Sequence, residues 1–133
     1  MTDKQWLIGY IGEELNADPE YLFAKNPDTA VFRHKSNGKW FAAILSVNKR
    51  KLGLPDDTVC DIADLKCGPI MSAAFRSQLG VFPGYHMNKD HWISVLLDGT
   101  VEESLFRQMV ELSYDLTAPK RKKNVKKTNE GER

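Results

Sequence analysis

The dipeptide Asn37-Gly38 stands between two runs rich in β-branched and aromatic residues, in TAVFRHKSNGKWFAAILSV. A tight type I′ turn needs positive φ at both central positions, and Asn-Gly supplies this at the least steric cost. The flanking runs are therefore predicted to pair as antiparallel strands, over about 29–35 and 39–47.

Other periodicities place the remaining elements. Leu7, Ile11 and Leu15 recur at helical spacing, with Trp6 and Ile8 widening the stripe, so a first helix is expected over about 3–15. Asp18-Pro19 breaks it, and Asn26-Pro27-Asp28 closes the next segment. After the charged connection NKRKLGLPDD, TVCDIADLK reads as a third strand over 58–66. Gly68-Pro69 opens a second helix through Leu79, with Met71, Phe75 and Leu79 on its apolar side. GVFPGYHM and DHWISVLLDG read as a fourth and a fifth strand, joined around Asn88-Lys89. Asp98-Gly99 ends the fifth, and Thr100 caps a last helix in which Leu105, Met109, Leu112 and Leu116 repeat before Pro119 stops it. The order α-β-β-β-α-β-β-α predicts an α+β two-layer sandwich, a largely antiparallel five-stranded sheet with helices on a face. A chain of 133 residues holds one such core, assigned here to 1–119.

Charge divides the chain. Residues 120–133 hold seven of the nineteen Lys/Arg and two of the eighteen Asp/Glu, so the other 119 residues are acidic by four. Attraction to polyanions concentrates in that segment, read as a flexible basic tail: Lys120, Arg121, Lys122, Lys123, Lys126 and Lys127. No apolar run approaches the roughly 20 residues of a membrane helix, and the N-terminus lacks a signal-peptide pattern, so a cytoplasmic protein is expected. Cys60 and Cys67 are the only cysteines, and strand alternation puts them on opposite faces. Two small apolar residues, neither disulfide nor zinc site, is the reading. GYIGEE lacks the preceding strand of a dinucleotide fingerprint. Asp56-Asp57 and Glu102-Glu103 suit a turn and a helix start. No cofactor is expected.

FPGYHMNKDHW, residues 82–92, is the densest chemical cluster. His86 and His91 lie five apart across a turn with Asp90 adjacent, an arrangement that suits acid–base or metal chemistry if the rings converge. Tyr85, His86, Lys89, His91 and Trp92 would equally serve base stacking and a phosphate contact. The plainer reading is a strand–turn–strand unit with hydrogen-bonded histidines and a packed Trp92. In the hairpin, Arg33, His34, Lys35, Lys39 and Trp40 would lie along a nucleic-acid backbone if it projects as a wing, or form a solvated tip.

DTAVFRHKSNGKWFAAIL, LKCGP, PGYHMNKDHWISVLLDGTV and ELSYDL, in that order, resemble the MmcQ/YjbR-like family, from about Asn26 to Leu116. The stretch Pro83, Gly84, Tyr85, His86, Met87, Asn88, Lys89, His91 and Trp92 carries the likeness most specifically. Asp90 stands where a basic or polar residue is expected. The resemblance implies an α-β3-α-β2-α layout related to frataxin-like and secretion-chaperone-like sandwiches, in bacterial, cytoplasmic proteins often labelled DNA-binding and with no established catalytic mechanism; a non-enzymatic protein is expected. With the charge reading, this makes a DNA partner the first expectation, gripped by Arg33, Lys35, Lys39, Lys89 and the tail, which extends beyond the family domain. A protein-docking module is the first alternative, and a small-molecule or metal site at His86 and His91 the second.

Overall fold

Asp3 begins the ordered architecture: its side chain accepts the Trp6 N–H at 2.9 Å and caps helix α1, Lys4–Glu14. The computed structural model describes residues 1–119; the expectations for Lys120, Arg121, Lys122, Lys123, Lys126 and Lys127 fall outside that range. Strands β1 (Ala30–Arg33), β2 (Trp40–Asn48), β3 (Val59–Lys66), β4 (Val81–Pro83) and β5 (Trp92–Leu96) form one sheet in the order β1-β2-β3-β5-β4. Every pairing is antiparallel. Helices α2 (Gly68–Phe75) and α3 (Glu103–Thr117) complete the α+β order read from the sequence. A 3₁₀ turn, Lys49–Leu52, lies in the charged connection.

Alternation along the strands sorts side chains to two faces. Ala42, Ile44, Ala63, Leu65, Ile93 and Val95 meet Leu7, Ile11, Phe75, Phe106 and Met109 in the main core, so all three helices feed one face. The other face carries a smaller cluster of Val47, Ile62 and Leu96, flanked by Leu45, Leu52, Phe82 and Tyr85, with no residue of the three α-helices in it. Cys67 belongs to the first cluster and Cys60 flanks the second, on opposite faces as expected. Both are free, and burial pushes both thiols above their ordinary range.

Several expectations shift. The hairpin closes not through a two-residue turn but through a wider loop: His34 N–H donates to Lys39 O at 3.0 Å, and Gly38 N–H to His34 O at 2.8 Å. Gly38 alone takes positive φ, at 72°, because Asn37 turns its side chain inward instead. Its Nδ2 donates to Thr117 O at 3.0 Å and its Oδ1 accepts the Lys39 N–H at 2.9 Å. The second helix stops at Phe75 instead of Leu79, leaving Leu79 84% exposed. The last helix is capped by Glu102, not Thr100, whose N–H is held by Asp98. Glu103 follows in the favourable first turn, where a negative charge complements the helix dipole. The buried stripe of α3 is Phe106, Met109, Val110, Ser113 and Thr117, rotated from the leucine repeat, and Leu116 faces outward. The fourth and fifth strands are shorter than read, because residues 84–91 form a loop between them.

A β-bulge positions the open face. Phe32 pairs with Ala42 but Arg33 with Trp40, so Phe41 is the extra residue. Phe41 and Ala42 both enter the helix-side core, and Trp40 is released to the opposite face. At the bulge, Ser113 of α3 bridges two strands: its hydroxyl accepts the Lys66 N–H at 2.9 Å and donates to Phe41 O. The outer edge of β1 is covered as well, since Val31 exchanges both backbone hydrogen bonds with Glu20, each at 2.9 Å. The other outer strand, β4, is three residues long and ends in Pro83.

Candidate functional site

The open face of the sheet holds a cleft of about 410 Å³. Ala43, Leu45 and Asp64 contribute from β2 and β3, Phe23 and Asn26 from the segment before β1, and Tyr85, His86 and Met87 from the loop after β4. Trp40, freed by the bulge, stands in it with Phe23 edge-on, ring centroids 6.0 Å apart.

Asp64 is the residue least expected here. Alternation places it on the open face beside Ile62, yet it is fully buried. Ser94, its partner in register on β5, donates its hydroxyl to Oδ1 and accepts the Tyr85 N–H at 2.8 Å. Oδ2 is buried without a hydrogen-bond partner. Burial is the largest influence on this carboxyl and raises it to about 7, against the Ser94 hydrogen bond and the nearby Lys89 charge. Near neutral pH it exists in both forms, able to accept a hydrogen bond or to hold a proton.

The loop over this carboxyl is fixed at three points. Gly84 N–H donates to Trp92 O at 2.9 Å, Tyr85 N–H reaches Ser94, and Lys89 Nζ donates to Gly84 O at 2.9 Å. A side chain on Gly84 would sit 2.7 Å from Trp92 Cβ, which is why glycine stands there. Held in this way, His86 takes φ 61°, a left-handed conformation that costs a side-chain-bearing residue roughly 1–2 kcal/mol. Strain of this kind persists only where surrounding contacts impose it, and it clusters at binding sites. Its ring lies against Tyr85, centroids 4.0 Å apart.

The other candidates scatter. His91 is not among the residues lining the cleft; its carbonyl accepts the N–H groups of Cys67 and Gly68 at the start of α2. Among the described residues no group of three or more His, Cys, Asp or Glu is placed to hold a metal ion. Asn88 organises the loop, its carbonyl taking the His91 and Trp92 N–H groups and its side chain that of Asp90. Arg33 makes a two-pronged pair with Glu20, at 3.0 and 2.8 Å. The hairpin does not stand clear as a wing. His34 Nε2 lies 3.0 Å from Tyr114 O and 2.9 Å from Thr117 Oγ1, whose own proton goes to Ser113 O, so the ring nitrogen is the donor. Lys35 and Lys39 remain exposed on the turn. Lys39 lines a second groove with Trp40, Lys66, Met87 and Trp92.

Asp64 and Lys66 are the functional candidates that sequence reading missed. TVCDIADLK carried only a weak signal for Asp64, an acid that alternates with Cys60 and Ile62 on one face of a predicted strand.

The YjbR family model matches residues 15–116. The uncharacterized protein YyaQ of Bacillus subtilis (strain 168) is 38% identical over 117 residues, covering 88% of this chain and 99% of that protein. A crystal structure of a Pseudomonas syringae protein aligns with a TM-score of 0.85 at 37% identity, covering 87% of this chain and 99% of that one. A Deinococcus radiodurans protein, DR2400, aligns with a TM-score of 0.62 at 25% identity, over 87% of this chain and 78% of that one. Among the described residues no helix is long and apolar enough to cross a membrane.

Proposed function

We infer that this chain, which belongs to the YjbR family, is a non-enzymatic binding protein that takes a small, flat ligand into the open-face cleft. The observation that carries this reading is the Asp64 carboxyl, fully buried in the lining of a mostly apolar cleft with Oδ2 unpartnered. Leaving such an oxygen unmatched costs roughly 1–3 kcal/mol or more, and a ligand N–H or O–H removes that cost. The volume also suits: small-molecule sites run from about 300 to 1,000 Å³, mostly apolar with a few placed polar groups. Support for a non-enzymatic role comes from Ser94, the hydroxyl nearest the carboxyl. It gives its proton to Asp64 and accepts from Tyr85, so it is held and not poised as a nucleophile.

The test is a set of aromatic amine fragments, each paired with its N,N-dimethyl analogue, titrated against ¹⁵N-labelled protein. Donor-bearing members are expected to move the amide signals of Ala43, Asp64, Tyr85 and Met87, and their methylated partners to move them far less. Equal responses from both, or none at these amides, would overturn the reading.

A second reading, contact with DNA, is favoured by Lys35 and Lys39 exposed on the hairpin turn, with Lys66 and Lys39 sharing a groove. Arg33 brings less to it, being paired with Glu20. Fluorescence anisotropy with a labelled duplex should show affinity falling as salt rises, with a logarithmic slope of about −0.9 per phosphate contact. Absence of binding at low salt removes this reading and leaves the cleft untouched.

A further inference from the structure

We propose that the cleft and the lysine-lined groove beside it are two halves of one site, whose ligand is a heteroaromatic amine carrying an anionic group, the layout of a purine mononucleotide. This rests on the cleft reading above and adds the ligand's charge and its orientation. Trp40 and Met87 line both cavities, so the two adjoin across those side chains. The groove measures about 350 Å³, and among the described residues the charged ones lining it are Lys39 and Lys66. Among the described residues neither ammonium is ion-paired with a carboxylate.

Register places the two halves. Asp64 and Lys66 lie two residues apart on β3, about 7 Å along the strand on the same face. Their cross-strand partners on β5 are Ser94 and Trp92, so acceptor and cation stand on successive same-face rungs of the ladder, with Leu65–Ile93 between them facing the core. A ligand lying across Trp40 would meet opposite chemistries at its ends: a hydrogen-bond acceptor within Phe23, Trp40 and Tyr85, and two cations beside Trp40 and Trp92. A purely cationic ligand would leave the lysines uncompensated, and a purely anionic one would be repelled by an ionised Asp64. A flat ring bearing an N–H donor and a phosphate or carboxylate satisfies both ends. The tryptophan faces suit its body, because base stacking on aromatic side chains is a strong and general attraction.

Adenosine 5′-monophosphate, adenosine and N6,N6-dimethyladenosine 5′-monophosphate separate the contributions. Adenosine lacks the anion, and the dimethylated monophosphate has no N–H on its base. Each is titrated against the full-length protein, wild type and Lys39→Gln/Lys66→Gln, following the Trp40 and Trp92 indole signals and the Asp64 amide. Adenosine monophosphate is expected to bind at least about tenfold more tightly than either relative, the scale of one charge-assisted hydrogen bond. The double variant should reduce it to the level of adenosine and leave adenosine itself unchanged. Equal affinity for adenosine and its monophosphate, with the Asp64 amide responding to both, overturns the two-part site while the cleft reading stands. If no compound, amine fragments included, moves the Asp64 amide, both fall. If the monophosphate moves only the lysine-side signals and its dimethylated analogue does the same, the groove is a simple anion contact and the inference is overturned.

Discussion

At the scale of single residues, Asp64 sets the pH behaviour. An aspartate in an unfolded chain titrates near 4, whereas in the fold this one keeps its proton to about 7. Between those values the folded state binds the extra proton, so its contribution to stability is complete below about 4 and is lost as pH rises through about 7. At about 1.4 kcal/mol per unit the loss is on the order of 4 kcal/mol. Urea unfolding should therefore show a lower midpoint at pH 8 than at pH 5. Asp64→Asn should flatten that difference, since the amide does not titrate; an unchanged pH difference in the variant would assign it to other groups. Gly84 makes a second prediction. Gly84→Ala forces a methyl against Trp92 Cβ and its carbonyl, and overpacking of this kind costs about 1–3 kcal/mol. A melting temperature lowered by several degrees, with the Tyr85 amide losing its exchange protection, is expected.

At the scale of elements, Ser113 joins helix to sheet where the bulge has interrupted the ladder. Ser113→Ala would leave the Lys66 N–H and the Phe41 carbonyl without their partner, at roughly 1–3 kcal/mol for each buried group left unmatched. Native-state hydrogen exchange should show the Lys66 amide opening in the variant while amides in the middle of β2 and β3 stay protected. What was legible in the sequence follows from the same physics. Strand alternation and helical spacing report local burial, so the order of elements and the hairpin partners came through. The two-residue turn did not, because Asn37 prefers the Thr117 carbonyl, a contact from a helix eighty residues away. The stripe on α3 was misplaced because leucines are conspicuous, whereas Ser113 and Thr117 are buried through hydrogen bonds that hydrophobicity does not register. His86 and Tyr85 were visible as candidates in one run of sequence. The cleft they border was not, since Trp40, Phe23 and Asp64 reach it through a bulge, an irregular segment and a strand crossing.

At the scale of the whole molecule, charge is separated along the chain: the first 119 residues are acidic by four and the last fourteen basic by five. If DNA contact occurs, removing residues 120–133 should abolish most of it at low salt, because the body repels a polyanion on average. Retention of full affinity by the shortened chain, measured by gel shift, would move the contact to Lys35, Lys39 and Lys66. Ligand binding in the cleft should be indifferent to that deletion, so the two properties come apart experimentally.

The way the sheet ends has a consequence for crowding. Glu20 takes both outward backbone groups of Val31 on one margin, and on the other the strand ends after three residues in Pro83, which has no N–H to give. Neither margin offers a neighbour a long row to zip onto. Light scattering should stay flat as concentration rises, free of the filament growth that unguarded strands seed. Encounters with other molecules are then left to side chains on the broad face. There one substitution, at Trp40 or Phe23, can retune what is recognised without disturbing the backbone beneath.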